Sequence, residues 1–205
     1  MIREAYDDAA ATFVDTVGTI KGHQWQGPGL GVWTVRDLVG HASRAFLTVE
    51  GYLSRPAPAV ELTRPVDYYL QVKAQTRAGL NDPAAIAARG REAGEALGAE
   101  PAGAVREVAT RVLATVRATA DDVIMGTPVG GMRLIDYLPS RVFELGIHTL
   151  DLARALGMSV TLPDATAALS LRLMAELAAE QPGKAAPLLL AATGRGPLPD
   201  GYSVL

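Results

Sequence analysis

A chain of 205 residues can bury one substantial core and is short enough to form a single domain. With 49% hydrophobic residues, 20% charged residues and a net charge of −3, it presents no basic field for a nucleic-acid backbone. It has no cysteine, which excludes disulfides, thiolate metal ligands and a cysteine nucleophile.

The opening MIREAYDD lacks a basic start followed by an apolar run, and no segment approaches the ~20 apolar residues needed to cross a bilayer. A soluble, cytoplasmic protein with neither membrane nor nucleic-acid partner is expected. The first helix is predicted from about Ile2 to Ile20, with Ala9, Phe13 and Val17 on one face. GPGLG, Gly27 to Gly31, forces a loop, in which Trp25 and Trp33 serve as anchors and His23 is a solvated residue.

WTVRDL then reads as a helix start: Thr34 caps, Asp37 stands where a capping box places an acid, and Trp33 can staple onto Leu38. This second helix extends to about Leu53. SRPAPAVELTRP, Ser54 to Pro65, carries too many prolines for a helix interior and is a crossover connection. Helical patterns follow over Val66 to Leu80, Pro83 to Leu97 and Ala102 to Ala120, the last with Val105, Val108, Val112, Leu113 and Val116 toward a core.

MGTPVGGM, Met125 to Met132, has the glycine spacing of a P-loop, but Met132 and Arg133 stand where the lysine and hydroxyl residue are required. A turn or short hairpin is expected instead, with Asp121 and Asp122 as polar residues before it. The next helix runs from near Leu134 to Gly157, with a kink or break at Pro139. Helices over Asp164 to Glu180 and Ala185 to Ala192 precede the tail GRGPLPDGYSVL. Long helices, a crossover and little strand signal make an all-α bundle.

Within RVFELGIHTLDLARALG, Arg141, Glu144, His148 and Asp151 fall within an arc of about 80°. Apolar residues flank this stripe, so docking of the helix holds it close to protein. Glu144 and His148, one turn apart, can direct an oxygen and a nitrogen to one point. The alternative for that pair is an ordinary surface Glu–His contact.

On the second helix His41 lies on a similar stripe with Asp37, Arg44 and Thr48. The alternative for His41 is a buried neutral imidazole bonded to Asp37. If the stripes face each other, His41, Glu144 and His148 form a two-histidine, one-carboxylate site with open positions. Zinc uses such sets, iron does as well, and nickel or cobalt can be accommodated. Asp37 and Asp151 can orient the imidazoles from outside the ligand sphere.

WTVRDLVGH and RVFELGIHTLDL, in this order and separation, resemble the DinB-like, mycothiol-dependent maleylpyruvate isomerase N-terminal family. The closing GRGPLPDG is similar to relatives as well. The resemblance implies a DinB-like four-helix bundle, here with a crossover and extra short helices, holding a divalent metal, usually zinc. His41, Glu144 and His148 match the family ligands one by one. Relatives use mycothiol or bacillithiol as cofactor or conjugating nucleophile, which suits a chain lacking its own thiol. The namesake isomerase carries a further C-terminal α/β domain; here residues 1–205 are expected to form one metal-binding helical domain without it.

The expected activity is that of a thiol transferase or isomerase of this type, with a small thiol and an electrophile as partners. Coordination would turn the thiol into thiolate, and Arg141 would neutralise an acidic substrate or else pair with Glu144 or Asp151. Metal-assisted hydrolysis and a non-catalytic, metal-binding bundle that takes a small molecule or protein are the alternatives. The apolar bundle faces leave a homodimer open.

Overall fold

The computed structural model describes residues 1–78 and 82–205. Its long helices are α1 (Ile2–Gly18), α2 (Val35–Leu53), α5 (Pro101–Ala118) and α6 (Leu134–Ala155), joined by the shorter α3 (Pro65–Arg77), α4 (Pro83–Ala96), α7 (Asp164–Ala179) and α8 (Ala185–Ala192). Strands β1 (Ile124–Thr127) and β2 (Gly130–Arg133) form an antiparallel hairpin. The architecture is the all-α bundle expected, with termini shifted by a few residues. The predicted end of the third helix, Gly79 and Leu80, lies outside the described residues.

The core follows from the helical periodicity. Tyr6 and Phe13 of α1, Leu38 and Phe46 of α2, Val105 and Val112 of α5, and Leu138 and Leu145 of α6 are all fully buried in one cluster. Each large apolar side chain so buried contributes roughly 1.5–3 kcal/mol. Val116 is buried there too, whereas Val108 and Leu113 pack against the edge.

The segment 54–65 crosses from α2 to α3 along the hairpin, pairing Pro56 with Met125 and Leu62 with Met132. Gly131 is required there, because a Cβ on it would stand 2.0 Å from the Ala59 carbonyl oxygen. This expected connection thereby becomes a third lane beside the hairpin and delivers α3 to the face of α6.

Of the kink or break expected at Pro139, the break does not occur: α6 is continuous through it. Pro139 lacks the amide that would bond to the carbonyl one turn back, but Leu134, Leu138, Val142 and Leu145 on either side are fully buried and hold the helix in register. Packing outweighs the one lost hydrogen bond. Phe143 of α6, Leu173 and Leu177 of α7, and Val204 join Val66 of α3 in a second apolar cluster.

Candidate metal centre

The start of α2 is fixed by a reciprocal cap. The Asp37 amide donates to Thr34 Oγ1 at 3.2 Å, and the Thr34 amide donates to Asp37 Oδ2 at 3.0 Å. His41 follows one turn later. Gly40 beside it lets α4 come close, since a Cβ there would meet the Gly94 nitrogen at 2.1 Å. Trp33, whose Nε1 donates to the Ala87 carbonyl at 3.1 Å, lays its ring on His41 with centroids 4.4 Å apart.

The expectation that Asp37 orients His41 is corrected: the Asp37 carboxylate binds the Thr34 amide, and Nδ1 of His41 is buried without a hydrogen-bond partner. Satisfying the amide at the helix terminus is the local demand that claims this carboxylate.

On α6 the stripe is ordered by its neighbours. His148 Nε2 lies 3.3 Å from Glu144 Oε2, and His148 Nδ1 lies 3.0 Å from Asp151 Oδ2. The Tyr69 hydroxyl of α3 donates to Glu144 Oε1 at 2.6 Å. One atom of each side chain is thus tied back, leaving Oε2 of Glu144 and Nε2 of His148 side by side. The structure brings His41 to them across the bundle, with its ring 4.9 Å from that of His148 and at 82° to it. One donor atom from each of His41, Glu144 and His148 lies within 4.8 Å of the others.

The electrostatics suit a cation. Burial, reinforced by the nearby His148 charge, lowers the His41 imidazole to about 4, so it is neutral at pH 7. Burial alone would raise the Glu144 carboxyl, but the His148 hydrogen bond, the Arg141 charge and the Tyr69 hydroxyl outweigh it and hold the group well below the usual carboxylate range. Burial likewise opposes charge on His148, yet hydrogen bonds to Asp151 and Glu144 lift it to about 9. An anionic carboxylate, a neutral imidazole with an orphaned nitrogen and a second imidazole fixed through its far nitrogen make a donor set that fits a divalent metal.

The centre opens into a cavity of about 610 Å³ bounded by α2, α3, α4 and α6 and closed by Leu177, Val204 and Leu205. Arg141 lines it and is 6% exposed. Among the described residues it forms no ion pair with Glu144 or Asp151. Trp33 lines the cavity as well, a role beyond anchoring its loop, whereas Trp25 is buried and His23 exposed. Asp121 and Asp122 are exposed, and Asp121 pairs with Arg3 at 2.7 Å. Tyr69 was invisible to spacing arguments on α2 and α6, because its place depends on where the crossover delivers α3.

The family model described as mycothiol maleylpyruvate isomerase N-terminal domain matches residues 6–153. That span contains the three converging side chains, Tyr69 and Asp151. No curated protein and no solved structure matches the chain.

Proposed function

Because the chain belongs to the mycothiol maleylpyruvate isomerase N-terminal domain family, we propose that it is a metal-dependent enzyme joining a low-molecular-weight thiol of the mycothiol type to an electrophile. The carrying observation is the convergence of His41, Glu144 and His148 within 4.8 Å at the floor of a cavity large enough for two small reactants. These three residues would hold the cation, with zinc the expected occupant of a two-histidine, one-carboxylate set. When bound, such a cation lowers the pKa of a coordinated thiol from ~8.5, so that thiolate is present at neutral pH.

The chain's own residues do the rest. Tyr69 and Asp151 keep Glu144 and His148 aimed at one point, while Trp33 covers His41. With no cysteine in the chain, the sulfur must enter as a separate molecule through the cavity. In an addition to an activated double bond, the thiol proton leaves to solvent and a sulfur–carbon bond forms. The displaced π pair then takes a proton from solvent at the neighbouring carbon, so the reaction needs no redox partner.

Elemental analysis of protein purified without chelator or nickel resin, alongside thiol-conjugation assays, tests this. One equivalent of divalent metal is expected in the wild type and none in His41→Ala, with conjugation lost in parallel. Metal content that ignores His41→Ala, or turnover without added thiol, overturns it.

A further inference from the structure

The two imidazoles of the centre are oriented by different means. His148 Nδ1 is held by Asp151 Oδ2 at 3.0 Å. His41 has no such partner. Its Nδ1 is buried without a hydrogen bond, none among the described residues reaches its other ring nitrogen, and the Asp37 carboxylate one turn back is taken by the Thr34 amide. A metal-binding imidazole is as a rule fixed through its far nitrogen. Without that bond the ring is free to turn, because its outer torsion is broad.

The face of the His41 ring supplies what its edge lacks. The Trp33 indole lies against it at 31°, with centroids 4.4 Å apart, while His148 meets it edge-on. Stacked and edge-to-face contacts are the arrangements that aromatic rings prefer. The imidazole plane is thereby confined between the indole and the neighbouring histidine.

The indole is itself seated. At the backbone, the Trp33 amide donates to the Leu30 carbonyl at 2.9 Å, and the Trp33 carbonyl accepts from the Gly29 amide at 2.8 Å. At the ring, Nε1 donates to the Ala87 carbonyl of α4 at 3.1 Å. Gly90 of α4 leaves the slot for it, since a Cβ there would stand 2.8 Å from Cε2 and Nε1 of the indole. Arg36 ties α4 down nearby, its Nε donating to the Gly94 carbonyl at 2.8 Å. A side chain that only filled a cavity wall would need neither an oriented N–H nor a glycine beneath it.

We propose that Trp33 is the positioning residue of His41: its indole, anchored on α4, sets the imidazole plane in place of the hydrogen bond that orients His148, so that α4 governs how tightly the bundle holds its cation. This rests on the reading above of His41, Glu144 and His148 as the metal ligands.

The test is zinc affinity at pH 7, by competition with a chromophoric chelator, together with the visible absorption of the cobalt-loaded protein, which reports ligand geometry. Trp33→Leu keeps an apolar side chain but no ring; it should weaken zinc about tenfold, the low end of what an orienting partner contributes, and change the cobalt spectrum. Trp33→Phe keeps a ring without the Ala87 bond and should fall between Trp33→Leu and the wild type. Gly90→Ala, whose added Cβ meets the indole first, should weaken zinc several-fold in the wild-type background. On top of Trp33→Leu it should do nothing more, because substitutions that act through one contact are not additive. Folding is checked by circular dichroism, and Trp33→Phe and Gly90→Ala carry the test if Trp33→Leu does not fold.

Any one of three results overturns the proposal and leaves the functional reading standing: zinc affinity unchanged in Trp33→Leu, a Trp33→Phe as weak as Trp33→Leu, or an undiminished loss from Gly90→Ala when Trp33 is already leucine. Zinc held in a Trp33-dependent way by a protein that conjugates no thiol supports the positioning role and removes the functional reading instead. A wild type that takes up neither zinc nor cobalt removes both.

Discussion

The Tyr69 hydroxyl makes the shortest polar contact to the triad, 2.6 Å from Glu144 Oε1. Burial and the Glu144 charge push its own pKa well up, so it remains a donor throughout the working range. Partners of this kind are worth about 10–100-fold in metal affinity. Tyr69→Phe should therefore weaken zinc binding by that factor in competition with a chromophoric chelator; unchanged affinity would reduce Tyr69 to packing. A pH dependence follows from the histidines. His148, lifted to about 9 against the pull of burial by Asp151 and Glu144, carries a proton at pH 7 in the metal-free protein, and a cation must displace it. His41, lowered to about 4 by burial, has none to give up. Apparent zinc affinity should rise about tenfold per pH unit from pH 6 toward 9 and then level, with one proton released at pH 7. A flat profile would mean that His148 is not a ligand.

At the level of the elements, α2 and α4 meet through Gly40 and Gly94 with no room for a side chain, and this contact keeps Trp33 over His41. Gly40→Ala should cost about 1–3 kcal/mol through overpacking and shift the tryptophan emission, read together in one urea titration. Asp37→Ala should cost about 1 kcal/mol through the lost cap while leaving zinc stoichiometry intact; loss of zinc would restore a role at His41. The α2 cap and the α6 stripe are legible in sequence because both obey local periodicity. The same local reading assigned Asp37 to two tasks, and the cap took it. Pro139 is the converse case. A strong local signal for a break yields to the buried leucines around it, whose packing no window of sequence displays.

For the molecule as a whole, meeting of the two stripes is a consequence of bundle topology, which the crossover and the family pattern together indicate. The cavity is less legible, because its walls come from α3, α4, α7 and the tail, each placed by long-range packing. A cation bound only by the folded bundle stabilises it by mass action, about 2.7 kcal/mol at a concentration of 100 Kd. Chelation should thus lower the melting temperature by roughly 5–10 °C for a chain of this size, with recovery on adding zinc; a melt indifferent to chelation would argue against a bound ion. Among the described residues, no helix is long and apolar enough to cross a membrane.

Leu177, Val204 and Leu205 close the cavity, and Lys73 and Gln181 hold the Val204 carbonyl at 3.4 and 2.7 Å. All three wall residues lie beyond residues 6–153, the stretch shared with the family. The family-matched stretch supplies the three converging donor atoms and the main walls of the cavity, and the later stretch supplies Leu177, Val204 and Leu205 as its closing side. Under the proposed function, smaller side chains at Val204 and Leu205 would widen the cavity without touching His41, Glu144 or His148.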